Sequence, residues 1–229
     1  MTSQTLHCSL QLVKKFRRSR WIAFEMVNNN ISKLTGNLEG ASEVHLDGNR
    51  ISNFDINLKG VSRLPLRNNP IQHLDLSSAD SSLRSLYLSN TSRKEFIAGK
   101  NLKSMFTLEL NDNPLKKIDL TGLSVYRLLL SNTGLGCFDQ EHDKLIHDLT
   151  FTNTLFLADD NLKSLRLTLP ISNLDIRGNS NIDRIQMHSF YSRDSMFKVD
   201  DYSIACDCCF LKVLYLAGFS GQSCRLARI

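Results

Sequence analysis

The chain has 229 residues, 41% apolar and 22% charged, the mix of a folded domain and not of a disordered or collagen-like one. The net charge of +5 resides in Lys14, Lys15, Arg17, Arg18 and Arg20; without these five, 23 basic residues face 23 acidic ones. An electroneutral body argues against a nucleic-acid binder, whose basic footprint belongs on the folded domain. No apolar run reaches the roughly 18–20 residues of a membrane-spanning helix, and the longest candidate, 208–219, contains Lys212.

Residues 1–20 read as a basic N-terminal leader. The apolar stretch Leu10-Gln11-Leu12-Val13 precedes the basic run, the reverse of a signal peptide. The basic run also fits a nuclear-import or phosphate-binding patch, but a solvated leader or a misplaced start codon is the plainer expectation. The compartment follows from that choice: extracellular or membrane-associated if the N-terminus is truncated, otherwise cytoplasmic.

From residue 21 to 186 eight segments share one template, with apolar residues at positions 1, 4, 6, 11 and 14 and usually Asn at position 9. The second segment shows it in full: Ala41, Val44, Leu46, Asn49, Ile51 and Phe54. The segments begin at residues 21, 41, 61, 83, 105, 125, 152 and 171. Positions 4 and 6 alternate with polar neighbours, as in a half-buried strand, so each segment predicts one rung of a parallel sheet. Position 9 holds Asn29, Asn49, Asn69, Asn113 and Asn179, whose carboxamides can donate and accept inside the turn that follows the strand; an unmet group there costs about 1–3 kcal/mol. Thr91, Thr133 and Asp160 occupy the same position in the other three segments and predict looser turns. Segments of 20–22 residues leave little room for a returning helix, and a second alternation (Ile51, Phe54, Ile56; Leu162, Leu165, Leu167) predicts an extended or 3₁₀ return path and a shallow arc.

This pattern resembles the leucine-rich repeat family, with its LxxLxLxxN/CxL consensus. The resemblance implies a horseshoe-like solenoid of about eight repeats, with a concave parallel sheet and little helix on the convex side. One long spacing comes from an insertion at 139–152, where Leu145, Ile146 and Leu149 among charged residues predict a short helix on the convex side. Residues 187–229 break the template and read as a cysteine-containing C-terminal cap. Cys206, Cys208, Cys209 and Cys224 fall there, and a disulfide cap, a metal site and reduced thiols all remain open. The cap is similar to the C-terminal flank of extracellular leucine-rich repeat proteins, which implies a CxC pair bonded to later cysteines, although here only Cys224 follows.

No catalytic set emerges. Gly134-Leu135-Gly136 is a lone GxG at a turn, His142 and His147 lack an HExxH arrangement, and no nucleophile elbow or kinase motif is present. No enzyme activity, cofactor or metal is expected. What a solenoid offers is surface. On the outward positions 3, 5 and 7 the template places Arg63, Arg67, Tyr87, Glu109, Arg127, Leu129 and Phe156, the aromatic and Arg types that binding hot spots favour. The expected function is non-catalytic recognition of a protein or peptide by the concave face of a monomer. The alternatives are the ectodomain of a leucine-rich repeat receptor or receptor-like kinase, and an intracellular regulatory scaffold.

Overall fold

The computed structural model describes residues 4–9, 23–38, 41–139, 146–147, 154–167, 171–182, 184–187, 196–198, 204–206 and 224–226. They form a parallel β-solenoid, and no helix occurs among them; none, therefore, is long and apolar enough to cross a membrane. The front sheet has nine described strands: Ala23–Glu25, Glu43–His45, Arg63–Pro65, Ser85–Tyr87, Ser104–Glu109, Ser124–Leu129, Thr154–Phe156, Asn173–Asp175 and Met196–Lys198. Each pairs in parallel with the next, in register: Phe24 with Val44, Leu64 with Leu86, Leu86 with Leu108, Leu108 with Leu128 and Leu155 with Leu174. The two-residue period of a strand turns positions 4 and 6 inward. Val44, Leu46, Leu64, Leu66, Leu86, Leu88, Leu108 and Leu110 accordingly line up in one continuous, solvent-free core.

The chain returns through a back wall of short parallel strands in three ladders. The first runs Gln4–Ser9, Ile31–Asn37, Asn53–Phe54, His73–Leu74; the second Glu95–Ile97, Lys117–Asp119, Ile146–His147; the third Cys137–Asp139, Ser164–Leu167, Arg184–Met187, Ile204–Cys206, Cys224–Leu226. Phe54, Phe96 and Phe138 project from this wall and are fully buried against the leucines of the front sheet.

Three expectations change. Residues 4–9, within the expected leader, form a strand paired with Ile31–Asn37. The insertion holds a strand, Ile146–His147, on Lys117–Asp119, where a helix was expected; the front sheet passes it by, Ser124–Leu129 pairing directly with Thr154–Phe156. Beyond residue 186 both sheets continue, so the described part of the expected cap adds rungs. The common cause is the open edge of a parallel ladder, whose unpaired N–H and C=O groups accept any chain that can lie extended beside them.

The turn after each front strand carries two features. In four of these turns position 9 is a buried carboxamide. Asn113 donates Nδ2 to the carbonyls of Leu88 (2.7 Å), Leu110 (2.9 Å) and Asn111 (2.9 Å), and its Oδ1 accepts from the amides of Thr91 (3.1 Å) and Arg93 (2.9 Å). Asn49, Asn69 and Asn179 are similarly placed. Asn29 differs among the described residues: it is exposed and donates to Val27 of its own turn. Position 8 is left-handed throughout, at Asn28, Gly48, Asn68, Asn90, Asp112, Asn132, Asp159 and Gly178. A side chain at Gly48 or Gly178 would collide with Asn28 Oδ1 or Asp159 Oδ1 of the preceding turn.

Candidate functional site

The outward residues of the front strands meet on one face. Position 5 forms a continuous row across eight rungs, from Glu25 through His45, Pro65, Tyr87, Glu109, Leu129 and Phe156 to Asp175. At about 4.8 Å per strand, Tyr87 and Phe156 stand roughly 14 Å apart.

The centre of the face is a preassembled cluster. Two guanidinium groups lie over the Tyr87 ring, 4.2 Å from Arg67 and 4.9 Å from Arg63 to its centroid. Arg67 reaches across two strands to grip Glu109 with both arms, Nε to Oε1 at 2.6 Å and an Nη to Oε2 at 2.8 Å. On its other side Arg67 meets Asp47, which also accepts the Arg67 amide at 2.6 Å. Ser89 donates to Glu109 from beneath at 2.5 Å. These contacts show in the ionisation. The Glu109 hydrogen bonds, foremost, raise the Arg67 pKa above its ordinary value. Burial pushes Glu109 up, but the bonds from Arg67 and Ser89 and the positive charges of Arg67 and Arg127 outweigh it and hold the carboxyl below its ordinary value. The network fixes Arg67 and so holds one of the two cations on Tyr87 in place.

The flanks differ from the centre. Toward the N-terminus the face is acidic, with Glu25, Asp47 and Glu43, the last bonded to His45 at 2.8 Å. Toward the C-terminus, Phe156 is half-buried, and Asp175 is buried beneath Arg177, which bonds it at 2.9 and 2.7 Å. Burial raises the Asp175 pKa, but the Arg177 contacts dominate and leave it lowered.

Of the seven residues expected on this face, Arg63 is exposed while Arg67, Tyr87, Arg127 and Phe156 are half-exposed. Two are less available than expected. Leu129 is only 8% exposed, and Glu109 is 9% exposed and committed to Arg67 and Ser89. Cys206 pairs with Leu226 and Cys224 with Ile204, so the strand register does not set these two cysteines side by side; Cys208 and Cys209 lie outside the described residues.

Two features went unread in the sequence. Phe106 and Tyr126, at position 2 of neighbouring segments, stack in parallel with centroids 5.2 Å apart, 53% and 39% exposed on the flank where the chain enters the front sheet. Ile22, Ser42, Ser62, Arg84, Asn153 and Ser172 hold that position in the other segments, so two aromatics at one position of neighbouring segments were the available signal. The unbroken Asn, Gly or Asp identity of position 8 likewise signalled its left-handed backbone. Among the described residues no group of three His, Cys, Asp or Glu side chains is placed to hold a metal ion. Compared with known protein families, curated sequences and solved structures, the chain matches none of them.

Proposed function

We propose that the chain is a leucine-rich repeat solenoid acting as a non-catalytic recognition module, with the front sheet as its concave face and a protein or peptide as its ligand. The observation that carries this reading is the Tyr87 ring with Arg63 and Arg67 over it, Arg67 being held by Glu109. An aromatic ring in contact with cations, one of them hydrogen-bonded before any ligand arrives, binds with less cost of ordering those side chains. Phe156, about three strands away, supplies a second apolar contact, and an extended segment of four or five residues spans the distance at roughly 3.3 Å per residue. The acidic N-terminal flank favours a ligand with a basic end lying over Glu43 and Asp47.

Panning a displayed library of random peptides on the full chain tests this. Peptides enriched on the wild type are expected to weaken at least about tenfold with Tyr87→Ala or Phe156→Ala, and to be unaffected by charge reversal at Lys117 on the back wall. Enriched peptides whose affinity survives Tyr87→Ala, Phe156→Ala and their combination would refute the assignment.

A further inference from the structure

The back wall is interrupted between its first two ladders. His73–Leu74 ends one ladder and Glu95–Ile97 begins the next, with no strand pairing across the gap. The walls come together again only lower down, where Leu76 O lies 3.5 Å from the place a Gly99 side chain would take and Asn101 donates to the Ser77 carbonyl at 3.0 Å. Above that closure a pocket of about 460 Å³ opens, lined by Leu74, Leu76, Phe96 and Ala98 with Arg93 and Lys100. Ile97, at its edge, is 51% exposed.

Arg93 is the anomaly. It occupies template position 11, where Ile31, Ile51, Ile71, Leu115, Leu135, Leu162 and Ile182 are all buried aliphatics. Its Nε donates to the Glu95 carbonyl at 3.0 Å, but one terminal nitrogen is buried with no hydrogen-bond partner. Asp75, the carboxylate on the opposite lip, is already bonded by the amide and hydroxyl of Ser77 at 2.7 and 3.0 Å. The same turn is a weak joint on its inner side: Thr91 bonds Leu88 of its own turn and Asn113 of the next, and has no contact like the one Asn69 makes to Leu46 of the preceding turn.

We propose that this cleft is a second docking site, taking an extended peptide segment that carries an acidic side chain. The segment adds a strand to the open edge of Glu95–Ile97, its apolar residues rest on Leu74 and Phe96, and its carboxylate accepts from the Arg93 guanidinium as that side chain turns into the pocket. Lys100 at the rim adds attraction for the same charge. The site lies on the wall opposite the Tyr87 cluster and stands or falls independently of it.

The test is a displayed random decapeptide library panned on the full chain and counter-selected on Arg93→Leu, a substitution that restores the residue type seven other turns bury. Arg93→Gln serves as a second variant, and thermal melting monitors the fold of both. Peptides specific to the wild type are expected to carry Asp or Glu between apolar residues. They should weaken about tenfold or more with Arg93→Leu, Arg93→Gln or a Glu→Gln change in the peptide, slow hydrogen exchange at the Glu95 and Ile97 amides, and bind Tyr87→Ala unchanged. No wild-type-specific enrichment, no acidic residue among the enriched peptides, unprotected Glu95 and Ile97 amides, or loss of binding with Tyr87→Ala would each overturn the proposal.

Discussion

Asp160 sits where Asn49, Asn69, Asn113 and Asn179 sit in other turns, and it is fully buried. Its Oδ1 accepts from the amides of Thr133 (2.6 Å) and Gly134 (3.2 Å) and meets the Thr133 hydroxyl at 2.7 Å. Its Oδ2 is buried without a partner, in the place where an Asn would present N–H donors to turn carbonyls. Burial dominates these contacts and raises the pKa from 3.8 to about 6. The protonated acid is therefore the form this turn favours. Its contribution to stability is fully present below about 3.8, falls as pH rises, and is lost above about 6, an interval worth about 3 kcal/mol. Buried carboxylates with lowered pKa, Glu109 and Asp175, act in the opposite sense and lose their contribution as pH falls. Urea melts of wild type and Asp160→Asn from pH 4 to 8 separate the two: the variant should gain on the wild type as pH rises to about 6 and level off beyond, whereas a pH-independent difference would mean the carboxyl titrates normally. Asn113→Ala strips three carbonyls and two amides of their partner, and should cost at least about 3 kcal/mol in the same assay.

The strand is the next scale. Each front strand owes its place to two inward side chains, so removing one should be costly but local. Leu108, flanked in register by Leu86 and Leu128, is fully buried, and Leu108→Ala is expected to cost about 2–5 kcal/mol by denaturant unfolding. A cost below about 1 kcal/mol would show that the neighbouring rungs collapse into the space. Front strands were readable because inward and outward residues alternate within three to five positions. The added strands at Gln4–Ser9, Ile146–His147 and Met196–Lys198 were not, since pairing at an open edge is a property of the neighbour's backbone. The spacing of Leu145, Ile146 and Leu149 is helical, but Ile146–His147 lies extended beside the exposed ladder at Lys117–Asp119, which sets its conformation.

At the scale of the molecule, stability comes from stacking, and the joint between the turns of Asn69 and Thr91 is a weak one, as is the joint between the turns of Asn113 and Thr133, where the Thr133 side chain likewise bonds only its own turn and the next. There the buried Asn ladder lacks its link to the preceding turn and the back wall is interrupted. Thr91→Asn would supply the missing carboxamide and should raise the urea midpoint, by about 1 kcal/mol if one added hydrogen bond forms. A fall would show that the joint has no room for the larger side chain. Such a repair should also narrow the neighbouring cleft, coupling the stability of the stack to the site on its back.

What the sequence by itself determined is which side chains enter the core and which face out, because burial on a strand depends on a two-residue period that any reader of the chain can count. It placed Arg63, Arg67, Tyr87, Arg127 and Phe156 on one face for the same reason. Only the tertiary structure decided that Arg67 spends its charge on Glu109, 42 residues away, that Leu129 is enclosed, and that Arg93 ends in a cleft with an unmet donor. Those outcomes depend on distances between rungs, and partners far apart in the chain leave no mark in its local pattern.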